Sequence, residues 1–238
     1  MEPNLVARRL DCGMPAIVLH QWLISPFCGK VRRILEHKGL AYDVVDYNGF
    51  LARKASKLSS AGKLPVLDYD GERLQDSSDI AAFLEAKHPE PAIYPQDPVD
   101  RARAAIWEDW ADESLYWFEV YLRFMVPSAR EQAVALLSAG RPALERMLLG
   151  RAVKGMYTRK LEIQGLGRMS QERVEHKLLG HVDTLETLLG ASQWLVGDAR
   201  SIADIAVASQ LHEIMRTSHL APELAKRSRV TEWLSRVP

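Results

Sequence analysis

The spacing of apolar positions changes several times over the first ninety residues. Ile17 to Trp22 (IVLHQW) has the length and composition of a short buried strand. Phe27, Val31, Ile34 and Leu35 then recur at helical steps, marking one face of a helix that ends at Gly39. Tyr42 to Asp46 predicts a second strand, Gly49 to Leu58 a weak helix, and Pro65 to Tyr69 a third strand. Asp70-Gly71 is a strong hairpin signal leading into Arg73-Leu74-Gln75. A helix from about Ser77 to His88 follows, with Ile80, Phe83 and Leu84 as its apolar stripe. The order βαβ, α, ββα predicts a four-stranded mixed sheet with a helical layer on both faces, because each face must be covered.

The pattern then changes character. Four prolines in HPEPAIYPQDPVD, from His88 to Asp100, can neither continue a helix nor join a central strand, so a domain boundary is placed there. Beyond it the periodicity is helical throughout, over Arg101 to Met125, Ser128 to Leu149, Gln171 to Leu189 and Ser201 to Met215. The reading is an N-terminal extension over 1–15, an α/β domain over 16–89, a linker over 90–99 and an all-helical domain over 100–238.

Composition narrows the function. With 31 basic and 31 acidic residues the formal net charge is zero, so no overall field draws the chain to nucleic acid or to an anionic membrane. Two cysteines, Cys12 and Cys28, are too few for a disulfide framework and lack the paired spacing of a zinc site. A reducing, cytoplasmic setting, a soluble chain and a small or neutral ligand are expected, with no metal.

The residues able to do chemistry cluster in three places. Ser25 in SPFC is a favoured helix N-cap followed by proline at the first helical position, but a hydroxyl at the positive end of a helix can also donate to a bound anion. Cys28 falls in the first turn of that helix, where the dipole favours thiolate; buried packing is the plainer role. Leu64-Pro65 opens the third strand. Were that bond cis, the Leu64 backbone would be free to pair with an extended peptide. Asp76 and Ser77 can cap the third helix, or hold the ammonium and carboxylate of an amino-acid head group.

Taken together, SPFC after the first strand, GKLPVL entering the third and DSSDI opening the third helix, before a proline-rich linker and helices, resemble the glutathione transferase superfamily. The resemblance runs from about Ile17 to Trp233. It implies a thioredoxin-like N-terminal domain that binds glutathione as cosubstrate and a C-terminal helical bundle that shapes the site for a hydrophobic or electrophilic small molecule. Carried over residue by residue, Ser25 is the group that contacts the glutathione sulfur. Pro65 is the family's cis-proline, Leu64 pairs with the cysteinyl backbone, Lys63 approaches the glycyl carboxylate, and Asp76 and Ser77 hold the γ-glutamyl group. Asp76 is one methylene shorter than the commoner glutamate or glutamine. Gly197 to Asp204 matches the capping box before a central buried helix, with Arg200 in place of an apolar residue. A homodimer is also implied.

The implied chemistry is donation from Ser25 to the ligand's thiolate, which then attacks a soft electrophile. Phe27, Trp110, Ser114 and Trp117 are the candidates for the second substrate's pocket, the last three lying on a stripe with Trp107, Tyr121 and Phe124. The capping box starts later than is usual in the family, so extra helical material is expected over about 127–168. Two other readings stay open: a ligand-binding or interaction protein that has kept the fold without the activity, and a glutathione-dependent thiol reductase using Cys28.

Overall fold

The computed structural model describes residues 15–49 and 52–238. Cys12 and most of the expected N-terminal extension lie outside them, as do Phe50 and Leu51 at the start of the weak helix. Strand β1 (Ile17–Gln21) leads through Trp22 to Ile24 into α1 (Pro26–His37), then β2 (Asp43–Asp46), a single turn α2 (Ala52–Ala55), β3 (Val66–Tyr69), β4 (Glu72–Gln75) and α3 (Ser77–Lys87). The sheet order is β2-β1-β3-β4, with β1 parallel to β2 and antiparallel to β3. Leu19 pairs with Val44 and Leu67, and the β3-β4 hairpin pairs Val66 with Gln75. Asp70 and Gly71 sit at φ 48° and 86°, the positive values that a tight two-residue hairpin turn demands.

The second half is helical: α4 (Pro98–Trp110), a π turn (Ala111–Leu115), α5 (Tyr116–Met125), α6 (Pro127–Leu137), α7 (Ala143–Gln164), α8 (Gln171–Leu188), α9 (Ile202–Thr217), α10 (Ala221–Leu224) and α11 (Ser228–Arg236). Two expectations are corrected. The periodic stretch from Ser128 to Leu149 is two helices, broken where Gly140 takes φ 74° and Pro142 removes a donor. The stretch from Arg101 to Met125 is interrupted by the π turn, which changes the direction of every side chain after it.

One continuous apolar core joins the two halves, since buried residues of α1 (Val31, Ile34, Leu35) and of α9 (Ile205, Ala208, Leu211) belong to the same cluster. The fully buried Asp204 anchors α9. It accepts from the backbone N–H groups of Ser201 and Leu195, both at 2.9 Å, and from the Trp233 indole at 2.8 Å. Ser201 and Asp204 together form a complete capping box. Arg200, standing where an apolar residue was expected, donates instead to the Arg236 carbonyl at 3.2 Å and contacts His37 at the end of α1.

Candidate active site

The start of α1 shows that the two readings of Ser25 do not compete. Its oxygen accepts the Cys28 N–H at 3.3 Å, so it is the N-cap. That bond uses a lone pair, and the hydroxyl hydrogen stays available to a second group. Ser25 is half-buried and lines a cavity of about 890 Å³.

Cys28 faces the other way, fully buried in the core. Burial pushes its thiol up to about 11, against smaller lowering effects from Ser25 and the Trp22 backbone. This corrects the thiolate reading, because the desolvation of a sealed first-turn side chain outweighs the helix dipole. Such a thiol stays almost wholly un-ionised at pH 7.5. In a Cys12→Ser background, native protein treated with iodoacetamide at that pH is therefore expected to label at Cys28 no faster than it unfolds. Rapid labelling of the folded chain would restore the reactive thiol.

A second, smaller cavity of about 420 Å³ lies beside the first and is more polar. The bond between Leu64 and Pro65 is cis. The ladders on both sides of β3 end at Val66, so the Leu64 backbone stands beyond them at the cavity wall. Asp76 caps α3 by accepting the Ser78 N–H at 2.9 Å. Its backbone is held at φ 69° and ψ 131°, outside the well-populated regions, as residues at binding sites often are. Asp76 is exposed, Ser77 is buried at the first position of α3, and both line the smaller cavity. Lys63, also exposed, lines both cavities.

Beneath these residues lies an ion cluster. Lys30 of α1, 1% exposed, reaches Asp112 Oδ2 at 2.7 Å and Glu108 Oε1 at 2.5 Å, and donates to Ser78 Oγ at 3.0 Å. Ser78 in turn donates to Glu108 at 2.9 Å. One buried cation thereby ties α1, the start of α3, α4 and the π turn together. Burial raises the Asp112 carboxyl and the Glu108 charge adds to the rise, while Lys30 opposes it.

Family comparisons fall on this frame. Residues 19–92 match the glutathione S-transferase N-terminal domain, and residues 168–236 match the glutathione S-transferase C-terminal domain. The chain belongs to the glutathione S-transferase superfamily. It is 25% identical over 194 residues to the isoprene-epoxide–glutathione S-transferase of Rhodococcus sp. (strain AD45), covering 80% of each chain. It is 32% identical over 116 residues to glutathione S-transferase U3 of Arabidopsis thaliana, which is 47% of this chain and 50% of that one, so the match spans half of that relative's length. Among solved structures it resembles a glutathione S-transferase from Methylobacterium radiotolerans in complex with glutathione sulfonate, at 27% identity and a TM-score of 0.57, over 93% and 88% of the two chains.

In this transferase-family chain the larger cavity differs from the expected pocket. Phe27 and Trp117 line it; Trp110 and Ser114 line neither cavity. Trp110 packs instead against Trp107 and His181, with ring centroids 5.4 and 5.6 Å away. The π turn's extra residue rotates the helix by about 100°, so Trp117 and Phe124 after it line the larger cavity while Trp107 and Trp110 before it do not. The opposite wall comes from α7, through Leu149, Val153, Met156 and Tyr157, none of which the sequence reading had singled out. Their one signal was spacing by three and four residues within a helix that also carries many charges. Among the described residues, no group of three or more potential metal ligands occurs, and no helix is long and apolar enough to cross a membrane.

Proposed function

We propose that the chain is a glutathione transferase: it binds glutathione in the smaller cavity and promotes attack of the ligand's thiolate on an electrophile held in the larger one. The observation that carries this reading is the junction of the two cavities. They share Phe27, Lys63, Leu64, Asp112 and Glu113 as lining residues, and Ser25 lies on the larger one. A tripeptide held by its γ-glutamyl head at Asp76 and Ser77, and paired with the Leu64 backbone, brings its sulfur toward that junction, with Lys63 near the glycyl carboxylate. The Ser25 hydroxyl then donates to the thiolate, and the start of α1 adds a favourable potential. The glutathione sulfonate held by the Methylobacterium protein and the names of the curated relatives support the choice of ligand. As in the resemblance, the protein is proposed to be a cytoplasmic homodimer. Residues 127–168, which hold α6 and α7 and of which 127–167 lie outside both family matches, are proposed to be added helical material.

Calorimetric titration with glutathione, alongside conjugation to an aryl halide, tests the reading. Ser77→Ala is expected to weaken glutathione binding roughly tenfold while leaving the thiol pKa of the bound ligand in place, because it removes a head-group contact alone. The binding-protein alternative draws on the walls of the smaller cavity. Glu108, Asp109, Asp112 and Glu113 surround it with Lys63 as the sole basic lining residue among the described residues, an unfavourable field for an anionic tripeptide. Retention on immobilised glutathione without turnover would favour that alternative; absence of any binding would end both.

A further inference from the structure

The larger cavity is not uniformly apolar. Glu119 and Arg123, one turn apart on α5, are 1% and 4% exposed, and both line it. Arg123 donates to Glu213 Oε2 of α9 at 3.2 Å, and Arg216 approaches the other Glu213 oxygen at 3.3 Å. Glu213 is thus held by two cations. Among the described residues, Glu119 is ion-paired with the Arg123 guanidinium, in a direction poor for a hydrogen bond. Neither of its oxygens accepts one from any described residue, and the Arg123 Nε–H donates none. Burial pushes the Glu119 carboxyl up to about 7, with Arg123 opposing and Glu213 reinforcing. The Tyr116 and Tyr157 hydroxyls adjoin the pair.

We infer that this inner end of the cavity selects an apolar molecule carrying one uncharged hydroxyl, which donates to Glu119 and accepts from Arg123. Glu119 is then a specificity-determining residue. With Glu119 ionised, the cluster holds two carboxylates and two guanidinium groups, so a ligand that brings its own charge finds no net counter-charge within it. Its unmet capacity is one kind of acceptor beside one kind of donor, the complement of an O–H group. A pure hydrocarbon would leave both unmet, and a site built for a hydroxyl rejects an analogue that lacks it. Val120, Phe124 and Val153 supply apolar wall for the rest of the molecule.

The inference deepens the proposed reading of this cavity and rests on it, but its test does not need glutathione. Binding of 1-naphthol and of 1-methylnaphthalene, near-isosteres, is compared by calorimetry in the full chain without the tripeptide. The ratio of the two affinities is expected to fall roughly tenfold in Glu119→Leu, where Arg123 keeps Glu213 as partner, and about threefold in Glu119→Gln, which retains one acceptor oxygen. If Glu119→Leu does not fold, Glu119→Gln decides. An unchanged ratio in the folded variants overturns the inference. A separate titration with glutathione alone tells the two readings apart: its failure removes the transferase reading and leaves the hydroxyl preference standing.

Discussion

Ser25→Ala is expected to raise the thiol pKa of bound glutathione by about one to two units. The same change cuts turnover at pH 6.5 by about 10- to 100-fold, since a hydrogen bond to a charged group is worth roughly 1.5–3 kcal/mol and 1.36 kcal/mol moves a pKa by one unit. The sign follows from which form the hydroxyl favours. Donation stabilises the thiolate, so wild type holds the reactive form at lower pH than the variant, and the gap closes as pH rises past the variant's pKa. The serine is also the cap of α1, bonded to the Cys28 N–H, and alanine removes about 1 kcal/mol of stability with it. Ser25→Gly separates the two effects, because glycine costs only a few tenths of a kcal/mol as a cap yet has no hydroxyl. Ultraviolet titration of the bound thiolate reads the result. An unmoved pKa in both variants would show that the helix terminus alone activates the sulfur.

Lys30→Met is expected to destabilise the fold by about 3–5 kcal/mol at pH 8, the cost of leaving buried carboxylates without their cation. Glu108 and Asp112 would then face each other with Ser78 as a shared neighbour and no counter-charge. The loss is expected to shrink toward pH 5, because the Asp112 carboxyl, already raised by burial and by the Glu108 charge, takes up a proton more readily there. Urea unfolding at the two pH values measures it. The triple variant Lys30→Met, Glu108→Gln, Asp112→Asn is expected to recover most of the stability, as neutral replacements of buried ion clusters often do. Glutathione affinity is expected to fall more than tenfold in the single variant, since Ser78 adjoins Ser77 and Asp76. A loss under about 1 kcal/mol at pH 8 would mean that the cluster is not what holds the site together.

The sheet and its first helix were legible because each carries a local signal. Ile17 to Trp22 is an apolar run of strand length, Ser25-Pro26 opens a helix, and Asp70-Gly71 closes a hairpin. That Ser25, Leu64, Asp76 and Ser77 line neighbouring cavities was legible from three motifs in one order. Lys30 was not, although it sits three residues after Phe27 on the face that the apolar spacing buries. Its partners Ser78 and Asp112 lie 48 and 82 residues downstream, and no local pattern links such distant charges. The π turn escaped for a different reason: apolar residues occur at helical steps on both sides of it, so the pattern reads as continuous although the backbone is not. That single inserted residue is why Trp117, after it, lines the cavity although Trp110, before it, does not. Gly140 and Pro142 were visible, but the charged and apolar residues around them fit one helix as well as two.

The two cavities are built from different kinds of material. The polar one draws on α3, α4 and the π turn, all fastened through Lys30, so a substitution in any one of them disturbs the rest. The apolar one takes a whole wall from α7, whose lining residues carry no share of that cluster. Residue changes along α7 therefore reshape what the larger chamber admits without loosening the proposed grip on the head group. The fold keeps a fixed handle for one ligand and an interchangeable mould for the other.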